Sequence, residues 1–280
     1  MKADLHIHTI ASDGCYSASD IVQKAKKLNI DMIAVADHDS IGAVSSAMQI
    51  SKKQGVTCVP AIEFSAKYHK DIHILGYLID VESDALVNKL KGLEADRLTR
   101  VHRFIEVLND RGIVISFDDV VKNADSEILG RVHIAKALIE KGYVKNVDQA
   151  FDKYLADEDM FGVKREKISA QACIELINLA GGISVLAHPC YMYDEKFEFY
   201  INELASFGLN GIEAYHPDHT DDEVVVFEKY AMDKGLLVTS GSDFHGSAKP
   251  EVDIGCEKRT SDYLEFCKDI IYRKAKENFF

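Results

Sequence analysis

Ala3-Asp4-Leu5-His6-Ile7-His8-Thr9 places two histidines two residues apart at the end of a short apolar run. Side chains at i and i+2 of a strand point to the same side, so both imidazoles can reach one ion. Further short apolar runs follow at Ile30 to Ala36, Val56 to Ile62, Ile72 to Leu78, Ile183 to Ala187, Leu209 to Ala214 and Leu236 to Ser240. Amphipathic stretches separate most of them. Seven strands alternating in this way with helices predict a parallel α/β fold. The first helix is read from Ser17 and Asp20, which form a capping-box start. Ile21, Val22, Ala25 and Leu28 then fall on one face and bury it against the sheet.

Between Glu82 and Lys167 the pattern changes. Helical stretches succeed one another at Asp84 to Asn109, Phe117 to Ala124, Val132 to Lys141 and Val147 to Leu155, with no strand among them. A run of that length is too long for a loop in a compact domain and needs its own packing. The expected organisation is a barrel domain from residues 1–82 and 168–280, with a small helical insertion domain at 83–167.

The chain has 280 residues, 47% of them hydrophobic, enough to bury a full core. Lys and Arg number 33 against 46 Asp and Glu, a net charge of -13. That balance opposes loose binding to long nucleic acid or an anionic membrane. An anionic substrate then needs a local reversal of the field, which bound cations supply. The cysteines, Cys15, Cys58, Cys173, Cys190, Cys256 and Cys267, show no paired spacing and read as reduced thiols. With neither a signal-like start nor an apolar run of about 18 residues, the expectation is a cytoplasmic protein.

The histidines and acids gather at the predicted strand ends. His6 and His8 end the first, His38 follows the second, Glu63 ends the third and His73 lies on the fourth. His188 closes the fifth, Glu213 and His216 close the sixth, and Asp243 and His245 follow the seventh. In a parallel barrel these ends converge on one face. One histidine at a strand end is ordinarily a hydrogen-bonded or surface residue, but the joint placement points to metal. Imidazole with carboxylate and no thiolate suits manganese, iron or zinc, and Glu63 can bridge two ions. Ions about 3.5–4 Å apart clamp a phosphoryl oxygen and activate a bridging water, so hydrolysis is the natural use. His69, His102 and His219 fit no such position and read as ordinary histidines.

DLHIHT with Asp13 in SDG, ADHD (Asp37, His38, Asp39), PAIEFS (Glu63), IHILGY (His73), AHP (His188) and GSDFHG (Asp243, His245) together resemble the polymerase and histidinol phosphatase (PHP) family. The resemblance implies a distorted seven-stranded (β/α)7 barrel and two or three divalent metal ions, manganese first. It further implies one ion on His6, His8, Glu63 and Asp243, a second on Glu63, His73 and His188, and a third on Asp13, His38 and His245. GRVHIAKAL (Arg131, His133) and EAYHP (Glu213, His216) look most like the branch that removes the 3′-phosphate of 3′,5′-nucleoside bisphosphates through a metal-bridging hydroxide. The alternatives are a 5′–3′ exonuclease on short RNA, a histidinol phosphate phosphatase, or a metal-stabilised scaffold module. The expected partner is a small nucleotide or phosphate ester.

Arg131 is the expected phosphate clamp, because a guanidinium matches phosphate oxygens in bidentate fashion. An exposed helix-end arginine is the bland reading. His133 and His216 are expected to hydrogen-bond phosphate or protonate the leaving oxygen, or else to orient a metal ligand. Asp37 and Asp39 could orient His38. Equally, Asp39 or Ser40 could cap a helix from Ile41 to Lys53. The glycines of SGSDFHG form no dinucleotide fingerprint and are expected to give the turn its backbone freedom.

Overall fold

A computed structural model describes residues 2–124, 129–155 and 167–255. The described residues form two compact units, one within Met1–Val87 and Lys167–Phe280, the other within Asn88–Glu166. The strands are β1 (Ala3–Ile7), β2 (Met32–Val35), β3 (Thr57–Lys67), β4 (Asp71–Tyr77), β5 (Ile168–Ser169), β6 (Ile183–Leu186), β7 (Gly211–Tyr215) and β8 (Leu237–Ser240). The helices are α1 (Ala18–Lys27), α2 (Val44–Gln54), α3 (Asp84–Asp110), α4 (Phe117–Lys122), α5 (Arg131–Glu140), α6 (Val147–Ala150), α7 (Ala170–Leu179), α8 (Phe197–Ser206) and α9 (Asp221–Lys234). A π-helical turn, Phe151–Leu155, continues α6.

The strands follow the order β1-β2-β3-β4-β6-β7-β8 in a nearly closed mixed barrel. Backbone bonds from His8 N to Phe244 O (3.0 Å) and from Asp243 N to His6 O (2.9 Å) join the two edges. The expected all-parallel arrangement is corrected at β4, which runs antiparallel to both β3 and β6. Only Tyr68, His69 and Lys70 separate β3 from β4, and a parallel return needs a crossover of a dozen or more residues. The reversal decides the site's geometry, because it puts the beginning of β4 where the other strands end. Strand β5 was not expected; its two residues pair with Ala66 and Lys67 of β3 and are too few to show a period.

Strand β2 shows how the layers form. Met32 and Ala34 join the barrel interior with Leu5, Val59, Leu75 and Val185, while Ile33 and Val35 pack with Ile21, Val22 and Ala25 of α1. Ile21 and Val22 are fully buried, worth roughly 1.5–3 kcal/mol each relative to exposure. Ser17 and Asp20 form the expected capping box. Leu28 departs from the expected stripe: it is the C-cap residue, beyond the last full turn, and stays 36% exposed.

The expected cap on Asp39 or Ser40 is also corrected. Helix α2 begins only at Val44, and its N-cap, Ala43, makes no side-chain cap bond. In the helical unit, Phe104, Leu108, Ile134 and Leu138 are core residues.

Candidate metal centre

Glu63 is the hub. The bond pattern of β3 carries the strand past it to Lys67, so Glu63 lies inside a long strand rather than at its end, fully buried. Its Oε1 is 3.0 Å from His73 Nδ1, 3.1 Å from His188 Nε2 and 3.4 Å from His6 Nε2. Its Oε2 is 2.8 Å from His38 Nδ1 and 3.3 Å from His8 Nε2. Burial alone raises the Glu63 pKa, but His38, His73 and His6 overcome it and hold the carboxyl well below its ordinary range.

Two further carboxylates complete the ring. Asp243 Oδ1 lies 3.1 Å from His8 Nε2 and 3.4 Å from His6 Nε2. Asp13, more exposed, approaches His245 Nε2 at 3.3 Å, His8 Nδ1 at 3.5 Å and His38 Nε2 at 3.8 Å. The structure therefore brings together all nine of the residues expected to hold metal. Three sets have potential ligand atoms within 4.8 Å of one another: His8, Asp13, His38 and His245; His6, His8 and Asp243; and His38, Glu63 and His73. His8 and His38 each serve two sets. His188 stands against Glu63 and His73, its Nε2 3.2 Å from His73 Nδ1.

The proton positions test whether this donor set suits a cation. His6 Nδ1 faces Glu213 Oε1 at 3.0 Å, and His245 Nδ1 faces the Asp243 carbonyl at 2.8 Å. His8 Nδ1 faces Ser12 Oγ at 3.4 Å, and Ser12 Oγ itself donates to Asp37. With protons committed to Nδ1, the Nε2 lone pairs point into the centre. His6 Nε2 and His8 Nε2 are then 3.1 Å apart, which is repulsive without a positive charge between them. The buried His38 Nδ1 and Glu63 Oε2 lie 2.8 Å apart, yet neither has a well-directed hydrogen-bond partner. These residues fit divalent metal, and imidazoles held by oxygen acceptors are the usual ligand arrangement.

The sequence profile of the PHP domain matches residues 4–276. The chain belongs to the PHP family. Over 95% of its length it is 30% identical to a 3′,5′-nucleoside bisphosphate phosphatase of Chromobacterium violaceum, covering 94% of that protein. It is 31% identical to a 5′–3′ exoribonuclease of Haemophilus influenzae, over 87% of this chain and 90% of the relative. Among solved structures, a protein of Bifidobacterium adolescentis described as a metal-dependent phosphoesterase superposes with a TM-score of 0.79 at 26% identity, covering 97% of this chain and 96% of that one. This PHP protein is a metal-dependent phosphoesterase.

Around the PHP centre, several residues have roles that only the fold reveals. Glu213 accepts from His6 with one oxygen and from the His188 backbone N–H with the other, at 2.9 Å. Asp4, fully buried, accepts the backbone N–H groups of Ser242 (2.9 Å) and Gly255 (2.7 Å) and so fastens β1 to the segment after β8. Asp37 neither orients His38 nor caps a helix; it accepts from Thr9 N, Thr9 Oγ1 and Ser12 Oγ and pins the loop after β1. Asp39 Oδ1 accepts Ser65 N at 3.2 Å. Spaced acids in apolar strands are the only sequence signal for these.

The backbone is strained where ligands leave their strands. His188, at φ 25°, and Asp243, at φ 53°, occupy left-handed conformations that cost roughly 1–3 kcal/mol for non-glycine residues. Gly241 corrects the expectation that the SGSDFHG glycines supply only turn freedom. Its φ is ordinary, but a Cβ there would lie 2.1 Å from His6 Cβ and 2.7 Å from Glu213 Oε1. Gly246, at φ 70°, does supply freedom.

The centre opens into a cavity of about 400 Å³, with His38, His73, His188 and His245 on its wall and Tyr191 and Lys249 beside them. His216 is buried next to it. Its Nδ1 accepts the Asp218 backbone N–H at 3.1 Å, so its proton belongs on Nε2, which lies 3.6 Å from Asp243 Oδ2. In the helical unit, Arg131 Nη1 donates to Leu155 O at 3.1 Å and the guanidinium stands 5.4 Å from the Phe151 ring. His133 is buried there, and its Nδ1 accepts Gly130 N at 3.0 Å. His69 is exposed beside Glu203, His102 stacks on Phe117, and His219 is buried with Nδ1 on Ala214 O. Among the described residues, no helix is long and apolar enough to cross a membrane, and Cys15, Cys58, Cys173 and Cys190 are free thiols; Cys256 and Cys267 lie outside them.

Proposed function

We propose that this PHP barrel removes the 3′-phosphate from 3′,5′-nucleoside bisphosphates such as 3′-phosphoadenosine 5′-phosphate, in the cytoplasm and with manganese. The observation that carries the reading is the end-to-end likeness to the Chromobacterium phosphatase, 30% identical over 272 residues. The cavity supports it, since about 400 Å³ lies within the range of small-molecule sites. The net charge of -13 disfavours long polyanions.

Divalent ions held at the centre supply Lewis-acid polarisation of the phosphoryl oxygens and an activated water. In this reading His6, His8, Glu63 and Asp243 hold one ion, Glu63, His73 and His188 a second, and Asp13, His38 and His245 a third. The second and third groupings draw on the family resemblance, because the distances place His38 closer to Glu63 (2.8 Å) than to Asp13 (3.8 Å). His216 donates its Nε2–H to a substrate oxygen; its Nδ1, occupied by the Asp218 N–H, is not open to a relay. From the likeness of GRVHIAKAL alone, Arg131 and His133 bind the substrate phosphate. Arg131→Ala should then raise KM at least tenfold without changing metal content.

The Haemophilus relative favours a second reading, removal of nucleotides from the 5′ end of short RNA. Phosphate release from 3′-phosphoadenosine 5′-phosphate, compared with histidinol phosphate and with mononucleotide release from 5′-phosphorylated oligoribonucleotides, tests both. No phosphate from the bisphosphate with manganese present would overturn the first. Turnover surviving His8→Ala and Asp243→Ala would overturn the role of the centre.

A further inference from the structure

The two oxygens of Asp243 face different ways. Oδ1 turns inward to the Nε2 atoms of His6 and His8. Oδ2 turns outward, where it pairs with Lys249 Nζ and lies 3.6 Å from His216 Nε2. Lys249 follows a short helical turn, Gly246–Ala248, and its backbone N–H is tied to Gly246 O at 3.0 Å. The side chain is one-third exposed on the cavity wall. Among the described residues it is the only lysine or arginine there.

That placement has an electrostatic consequence. Asp13, Glu63, Asp71 and Asp243 bring four carboxylates to a cavity that must admit a phosphate dianion, and Asp71 is paired with Lys167 at 2.7 Å. An ammonium carries three donors, and Asp243 Oδ2 engages one of them. Once Asp243 shares its charge with a metal on the Oδ1 side, its hold on the ammonium weakens, and the remaining donors belong to a side chain that lines the cavity. A lysine acts on phosphate as a point charge without a required approach angle, which suits a residue on the wall of the cavity.

We propose that Lys249 is a substrate-binding residue, the fixed cation that takes a non-bridging oxygen of the phosphoryl group seated at the centre. The proposal concerns the phosphoryl group and not the organic moiety, so it stands whether the ester is a nucleoside bisphosphate or another. The competing role is structural, with Lys249 serving only to hold Asp243 in position.

The test uses inorganic phosphate as the probe on the manganese-loaded full chain, followed by calorimetry, with manganese content measured on the same samples. Lys249→Met keeps the aliphatic stem and removes the charge; Lys249→Arg keeps the charge. Lys249→Met is expected to raise the phosphate dissociation constant about tenfold or more with metal content unchanged, as loss of one charge-assisted contact predicts. Lys249→Arg should recover most of that loss. For any ester the protein hydrolyses, KM should rise more than kcat falls. Phosphate affinity within twofold of the wild type in Lys249→Met would overturn the proposal. So would a loss of phosphate binding that tracks a loss of bound manganese, or a wild-type protein that takes up manganese and binds no phosphate.

Discussion

Glu213 Oε1 holds the Nδ1 proton of His6 at 3.0 Å, in a pair from which water is wholly excluded. Burial works against a charge on either partner. Even so, the mutual field lowers the Glu213 pKa, and Glu213, with Glu63 and Asp243, pushes that of His6 well above its ordinary value. The carboxylate thus fixes the His6 tautomer and increases its basicity toward an ion. Glu213→Gln should keep the fold and weaken metal affinity by about 10–100-fold, the usual effect of removing a partner behind a ligand. Metal titration with circular dichroism on the same variant checks this.

The same electrostatics make metal loading a proton exchange. In the metal-free protein burial opposes the charge on His8, but Asp243, Glu63 and Asp13 raise its pKa to about 10. Because this folded-state value exceeds the unfolded one, its stabilising contribution is full below about pH 6.5 and is lost as pH rises toward 10. The metal-free protein should therefore melt at lower temperature with rising pH across that window, and the loaded protein should not. Manganese added to a weakly buffered metal-free sample at pH 7 should release protons, and affinity should fall as pH falls. Potentiometric titration measures both.

His219 carries the opposite sign. Burial is the main cause of a pKa lowered to about 4. The unfolded chain then binds the extra proton between about pH 6.5 and 4, so stability falls as pH drops through that window and levels off below it. The shift corresponds to on the order of 3 kcal/mol. Thermal melts from pH 7 to 4 should show a slope that His219→Gln flattens.

Gly241→Ala should be severe for so small a change. Its methyl would have to displace the His6 backbone or the Glu213 carboxylate at the join between β1 and the segment after β8. Overpacking of this kind costs roughly 1–3 kcal/mol, and here it also moves a metal ligand. A lower melting temperature together with weaker metal binding is expected.

Much of the barrel was readable because buried strands need apolar runs, and the runs at β1, β2, β6, β7 and β8 stand between amphipathic helices. Strand direction is not written in such runs. For β4 the only cue was the short interval after Ile62, too small to hold a crossover helix. Glu63 and most of the eight residues now gathered round it were legible because imidazoles and carboxylates near strand ends are chemically conspicuous; Asp13 came only from the family resemblance. Asp4, Glu213 and Lys249 were harder to place: their importance lies in backbone N–H groups, ring protons and a cavity wall supplied by distant segments. Asp39 misled because an acid before a helical pattern looks like a cap, and the true start at Val44 is set by a turn that composition does not reveal.

The reversal of β4 also bears on the order in which the centre is assembled. Glu63 and His73 belong to one hairpin, closed by a turn of three residues, and their strands pair in continuous register from Ala61↔Tyr77 to Lys67↔Asp71. The contacts that complete the ring are far more distant along the chain: His6 with Glu213 across 207 residues, Asp4 with Ser242 across 238. Local pairings form ahead of such distant ones because they close smaller loops. Glu63 and His73 are therefore expected to be in place before the barrel's edges meet, and a metal captured there would serve as the template on which the remaining ligands converge.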